Sequence, residues 1–151
     1  MNNLNEDLIK KISKLKGEPT WMLDFRLNSL KSFFELDNPN FGPKIELDFS
    51  KINYYKKVSD STDDWNNVNS DIKNTFKELG VIEEEEKYLC GVSNQFESEV
   101  IYHKNKFDND KVIFMSTDDA LKNYPELFKK YFNNLDKYNE NKYTALNGAL
   151  W

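Results

Sequence analysis

The chain has 151 residues, a net charge of -5 and one cysteine, and its lysines and arginines are mixed with acids throughout, so no basic stripe exists to neutralise the phosphates of a nucleic acid. No apolar run approaches the ~20 residues of a membrane span, and the first residues lack the basic-then-apolar order of a secretory signal. A single cysteine forbids an intramolecular disulfide, and together these features point to a reducing, cytoplasmic setting.

Aromatic residues make up 15% of the chain, more than a disordered segment carries, which predicts a small core built on a few heavy anchors. Asn5-Glu6-Asp7 ahead of Leu8, Ile9, Ile12 and Leu15 predicts a capped amphipathic helix over 6–15, stopped by Gly17 and Pro19. A second helix is expected after Pro19 to about Leu36, with Leu23, Leu27, Leu30 and Phe34 as its buried stripe, Met22, Phe25 and Phe33 widening it, and Trp21 at its entry packing back on the first helix. Asp24 and Arg26 are two apart and do not face each other, so each seeks another partner across an internal interface.

Residues 37–43 read as a loop, and Ile45, Leu47 and Phe49 alternate as a short strand that 52–55 extends. Residues 59–64 read as a mobile polar loop. Ser70 caps a helix over 71–79 ended by Gly80, and four glutamates open another over 83–90. A β-hairpin is expected from 98–104, a turn at 108–110 and 111–115. Thr117 then caps a helical turn, Pro125 opens another, 133–142 is a polar linker, and the chain closes on an apolar run to Trp151. The fold class is therefore α+β: a helical pair over 6–36, a loop and short strand over 37–69, helices and a hairpin over 70–132, and a linker with a final segment over 133–151.

Chemistry is sparse in this pattern. There is no phosphate-binding glycine loop, no G-x-S-x-G elbow and no H-E-x-x-H. Cys90 and His103 are the only soft-ligand candidates, and one cysteine cannot hold a zinc ion or an iron–sulfur cluster alone; Cys90 reads best as a buried structural thiol. Glu97 and Glu99 share a face if they lie on one strand, which reads as a solvated face before it reads as an acid pair. The acidic stretches at 60–64 and 108–110 lack the order of a calcium loop. The residues thus read as a domain without a catalytic centre. A small hydrolase built on Glu97, Glu99 and His103 ranks last.

Several blocks carry a resemblance. Lys16-Gly17-Glu18-Pro19, Trp21-Met22-Leu23 and Phe25-Arg26-Leu27 resemble the opening of SufB, the scaffold subunit of the SUF iron–sulfur cluster assembly system, in the SufB/SufD family. Ile72-Lys73, Thr75-Phe76, Leu79-Gly80, Lys87-Tyr88-Leu89, Glu97-Ser98-Glu99-Val100 and Tyr102-His103 are similar in the same order. So are Val112-Ile113-Phe114, Thr117-Asp118, Tyr124-Pro125-Glu126-Leu127-Phe128, Ala145-Leu146-Asn147 and Ala149-Leu150-Trp151. The resemblance implies the N-terminal domain of such a scaffold, without the β-helix and helical region that follow in the family. Gly17, Pro19, Trp21, Met22, Phe25, Arg26, Tyr88, Glu97, Glu99, Tyr102 and Pro125 would be core or interaction positions. The family's cluster-handling residues and SufC-docking surface would lie beyond this chain, so no cofactor is expected here although the full-length complex handles an iron–sulfur cluster. SufC and SufD would be the pathway partners, and the charged residues of the Trp-Met-Leu block would fix its packing. Leu150 and Trp151 would be frayed or would cover a local groove. A standalone adaptor that binds a SUF component without building clusters is the alternative.

Overall fold

The computed structural model describes residues 3–43, 46–81, 89–106, 111–132 and 140–151. Among them are six α-helices and one antiparallel hairpin, a small α+β fold. The chain divides into two compact units, residues 1–55 with 121–151, and residues 56–120. The expected turn at 108–110, Tyr88 and most of the expected helix over 83–90 lie outside the described residues; Leu89 and Cys90, which are described, are not helical.

The first unit is helical. Helix α1, Glu6–Lys16, starts where the Asn5 side chain accepts a hydrogen bond from the Leu8 amide at 2.9 Å and stops at Gly17, whose φ of 66° is left-handed. Helix α2, Thr20–Glu35, follows at once, with the Pro19 carbonyl accepting from the Met22 amide at 3.0 Å. Its buried residues are Met22, Arg26, Ser29, Leu30 and Phe33, with the expected Leu23 and Leu27 half-buried against the same core and only Phe34 of the expected stripe, at 60%, exposed. The buried face is broader than expected because it also takes in Arg26 and Ser29, polar residues that a reading by apolar spacing leaves out. Helices α5, Pro125–Tyr131, and α6, Lys142–Leu150, complete the unit.

Asn141 caps α6. Its side chain accepts from the amides of Tyr143 and Thr144 at 3.0 and 3.1 Å, and the Thr144 hydroxyl accepts from the Asn141 amide at 3.1 Å. The core lies between α1, α2 and α6 and joins Ile9 to Leu30 and Ala149, and Leu8 and Ile12 to Tyr54 and Tyr55. Among the described residues of 45–55 there is no strand. Phe49–Lys51 is a 3₁₀ turn and Tyr54 and Tyr55 are buried side by side in extended chain, so burial rather than pairing fixes this segment.

The second unit holds α3, Ser70–Glu78, and the strands β1, Gly91–Phe96, and β2, Glu99–Asn105. Asn69, not Ser70, caps α3 by accepting from the Asp71 amide at 2.8 Å. The hairpin therefore pairs β2 with the preceding strand; residues 112–116 are not a strand. The register jumps at Asn94/Gln95, where the partners pass from Tyr102 to Val100. Ile101 is the extra residue of this bulge, and the break in alternation lets Ile101 and Tyr102 enter the same core. That core also holds Trp65, Val68, Ile72 and Val92. The expected loop at 59–64 is pinned at its centre: the Thr62 amide donates to Ile101 O at 3.1 Å, and the His103 amide donates to Thr62 O at 2.9 Å.

Helix α4, Thr117–Asn123, spans the division at residue 120. Ser116, rather than Thr117, caps it: its hydroxyl accepts from the Asp119 amide at 3.1 Å and donates to the Asp119 carboxylate at 2.6 Å.

Candidate functional site

The most constrained polar group among the described residues of the first unit is Arg26. Helix α2 carries it four residues after Met22 and three before Ser29, on the buried face, and its side chain is 0% exposed. The Glu18 carboxylate, 1% exposed, lies in the turn between α1 and α2 and meets the guanidinium on two sides: Nε donates to Oε2 at 2.8 Å and Nη2 to Oε1 at 2.5 Å. This is the paired geometry for which a planar guanidinium is suited. Two further donors reach the end of α6, Nη1 to Ala149 O at 3.0 Å and Nη2 to Trp151 O at 2.6 Å.

These four bonds explain why a charge sits in the core. A buried ion pair is sustained only when its remaining hydrogen-bonding groups are satisfied, and here the last carbonyls of a helix, which have no partner within it, supply the acceptors. The guanidinium also places positive charge at the negative end of the α6 dipole. Small side chains open the space: Ser29, Ala145 and Ala149 are all fully buried. The Trp151 ring lies 5.7 Å from the guanidinium carbon and joins Phe128 and Phe132, at 5.6 and 5.1 Å between centroids. Phe25 and Trp21 close on the other side of Phe132 at 5.0 and 6.0 Å, with the Lys129 ammonium over Trp21. Leu150 and Trp151 thus cover a local groove and are not frayed.

The other sequence candidates distribute as follows. Gly17, Pro19, Met22 and Arg26 build the α1–α2 corner and its core, with Trp21 and Phe25 in the aromatic cluster and Pro125 at the first position of α5. Tyr102 is in the core of the second unit, edge-on to Trp65 at 5.1 Å. Glu97 is not on a strand with Glu99. It occupies the two-residue hairpin turn with a φ of 54° and forms an exposed ion pair with Lys56 at 3.0 Å, while Glu99 opens β2, so the two do not form an acid pair on a strand face.

His103 stacks on Phe114 at 5.0 Å, and its Nε2 lies 3.1 Å from Phe114 O. A carbonyl only accepts, so Nε2 carries the proton, and Nδ1 is buried without a hydrogen-bond partner among the described atoms. Cys90 is exposed, contrary to the expected buried thiol, because β1 begins immediately after it and its carbonyl accepts from the Lys106 amide at 2.7 Å. Among the described residues no three His, Cys, Asp or Glu side chains gather where they could hold a metal ion. A cluster normally needs four ligands, mostly cysteines, and the sequence holds one cysteine, Cys90.

Sequence reasoning missed Glu18 as the partner of Arg26. The available signal was an arginine at the i+4 position of a buried methionine, which requires a carboxylate from outside the helix.

No family model matches the chain, and no solved structure matches it. It is similar over 98% of its length to proteins named iron–sulfur cluster assembly SufBD family proteins: 46% identical to one from Staphylococcus saprophyticus, and 47% identical to those from Staphylococcus aureus strain USA300 and Staphylococcus epidermidis. The chain spans about a third of the length of these curated relatives, 33% in each case.

Proposed function

We propose that this chain acts in iron–sulfur cluster assembly of the SUF type as a structural and partner-binding domain of a SufB-like scaffold, and that it supplies no cluster ligands and no catalysis of its own. The observation that carries the reading is the 46–47% identity maintained over 98% of the chain to SufBD family relatives. The internal geometry is consistent with it. Two of the segments that resemble SufB, 16–27 and 145–151, are joined by the Glu18–Arg26 pair and the α6 carbonyls, so their residues are used to hold the domain together. In this reading the domain delivers a fixed surface to its SUF partners and leaves the sulfur and iron chemistry to other residues of the assembly.

Anaerobic reconstitution with ferrous iron and sulfide, followed by size-exclusion chromatography with purified SufB, SufC and SufD, tests both halves. The expected result is a colourless chain that co-elutes with a SUF component. A chain that retains stoichiometric iron and sulfide with visible charge-transfer absorption, or that co-elutes with none of the three, contradicts the proposal.

A further inference from the structure

The outer edge of β1 is open among the described residues. On the far side of β2 the His103 amide donates to Thr62 O at 2.9 Å, so His103 turns its backbone groups away from β1. Ser93 is the register partner of His103, and in an antiparallel ladder such a pair exchanges no hydrogen bonds. The Ser93 amide and carbonyl therefore point out of the sheet edge, and so do those of Gly91 and Gln95, two residues to either side. The extra residue of the bulge lies in β2, so β1 keeps its alternation through Gln95. Among the described residues no backbone group of another element bonds to Gly91, Ser93 or Gln95, and Ser93 and Gln95 are exposed. Open edges are commonly blocked by a charge, a proline or a bulge in the edge strand. Strand β1 has none of these: Leu89 to Phe96 contains no charged residue and no proline.

We propose that this edge pairs with the same edge of a second copy of the chain, antiparallel and centred on Ser93, to give a four-stranded sheet in the order β2–β1–β1–β2. The outward groups are spaced evenly about Ser93. In this register Ser93 faces its own counterpart, Gly91 faces Gln95, and every outward amide meets an outward carbonyl. Charge selects this edge over the rest of the surface. The chain carries -5, so two copies repel over most approaches. Here the two strands meet without a charge, and the flanking Glu97 is already paired with Lys56 at 3.0 Å. The edge lies wholly within the second unit, and its pairing does not depend on the iron–sulfur reading.

One strand pair buries less than the roughly 1,200 Å² of a stable complex, so the association is weak and is measured at millimolar concentration, in reducing buffer because Cys90 is exposed. Sedimentation equilibrium of the whole chain is expected to show monomer and dimer, with concentration-dependent amide shifts largest at Gly91, Ser93 and Gln95. In a mixture of isotope-labelled and unlabelled chains, a nuclear Overhauser effect is expected between the Val92 α-proton of one copy and the Asn94 α-proton of the other, which this register sets opposite each other. Ser93→Lys places like charges face to face at the centre and is expected to weaken the dimer roughly fivefold. Ser93→Glu should do the same, and an equimolar mixture of the two variants should associate at least as well as the unaltered chain. Both variants should keep its circular dichroism, since Ser93 is exposed. A chain that stays monomeric at millimolar concentration overturns the proposal and leaves the edge to a strand from another protein. So does a dimer whose shifts lie outside residues 89–96, or a mixture of the two variants that associates no better than either alone.

Discussion

The two units of this chain solve the same problem with different materials. The second, residues 56–120, builds its core from Trp65, Val68, Ile72, Val92, Ile101 and Tyr102, all uncharged, and its hairpin strands are joined by two residues. The first, residues 1–55 with 121–151, joins segments more than a hundred residues apart through a buried charge. An apolar core forgives a lost methyl group, because neighbours relax into part of the space. A buried ion pair does not forgive a lost partner, because the remaining charge is stranded without water. The first unit should therefore be the more specific and the more brittle of the two.

The largest expected effect follows from stranding that charge. Glu18→Ala leaves Arg26 buried with two carbonyls and no carboxylate, and should cost about 3–5 kcal/mol of the first unit's stability in a denaturant titration. Glu18→Ala combined with Arg26→Met removes both charges and should recover a large part of that loss. A double variant as unstable as the single one would show that packing around the pair, and not its charge, is what matters. In the second unit, Ile101→Ala should cost about 2–5 kcal/mol by opening a cavity at the bulge, with Ile101→Val costing only about 1 kcal/mol. If the two units differ as described, the graded loss at Ile101 will have no counterpart at Glu18, where Glu18→Gln should already be severe.

A smaller effect belongs to the α6 cap. Asn141→Ala removes the acceptor for two amides and should cost about 1 kcal/mol, read as a shift of the thermal midpoint. The smallest is a pH effect. Burial raises the Tyr54 phenol above its ordinary pKa, and its hydroxyl donates to Phe49 O at 2.6 Å. A raised folded pKa contributes stability that is complete below the unfolded value and is lost as pH rises through the folded one. Stability should therefore fall on the alkaline side, and Tyr54→Phe should flatten that limb of the curve without changing the acid side.

The sequence made the element types legible wherever local chemistry decides them. The Asn5 cap and the Gly17 stop mark α1 to within a residue, and Pro19 marks the start of α2. What failed were features set at long range. The hairpin was legible as a motif but not in its pairing. β2 could have met the strand before it or the segment after it, and the Glu97-Ser98 turn offers no glycine to announce itself. The strand expected at 45–49 read alternation as pairing, whereas Tyr54 and Tyr55 are held by packing against α1. The apolar face of α2 was legible at Leu23, Leu27 and Leu30, but Arg26 was not legible as a core residue because its burial depends on carbonyls 123 and 125 positions away. The SufB-like blocks flagged the residues on both sides of this contact without showing that they touch. Cys90 shows the limit of composition: its small apolar character suggested the interior, but its place at the mouth of the hairpin exposes it.

The most direct test of this account is hydrogen exchange on Arg26→Met, resolved by residue and compared with the unaltered chain. If the guanidinium holds the end of α6, amide protection should drop across Lys142–Leu150 while β1 and β2 keep theirs. Unchanged protection of α6, or an equal loss in the hairpin, would contradict the claim that this buried pair is what closes the first unit.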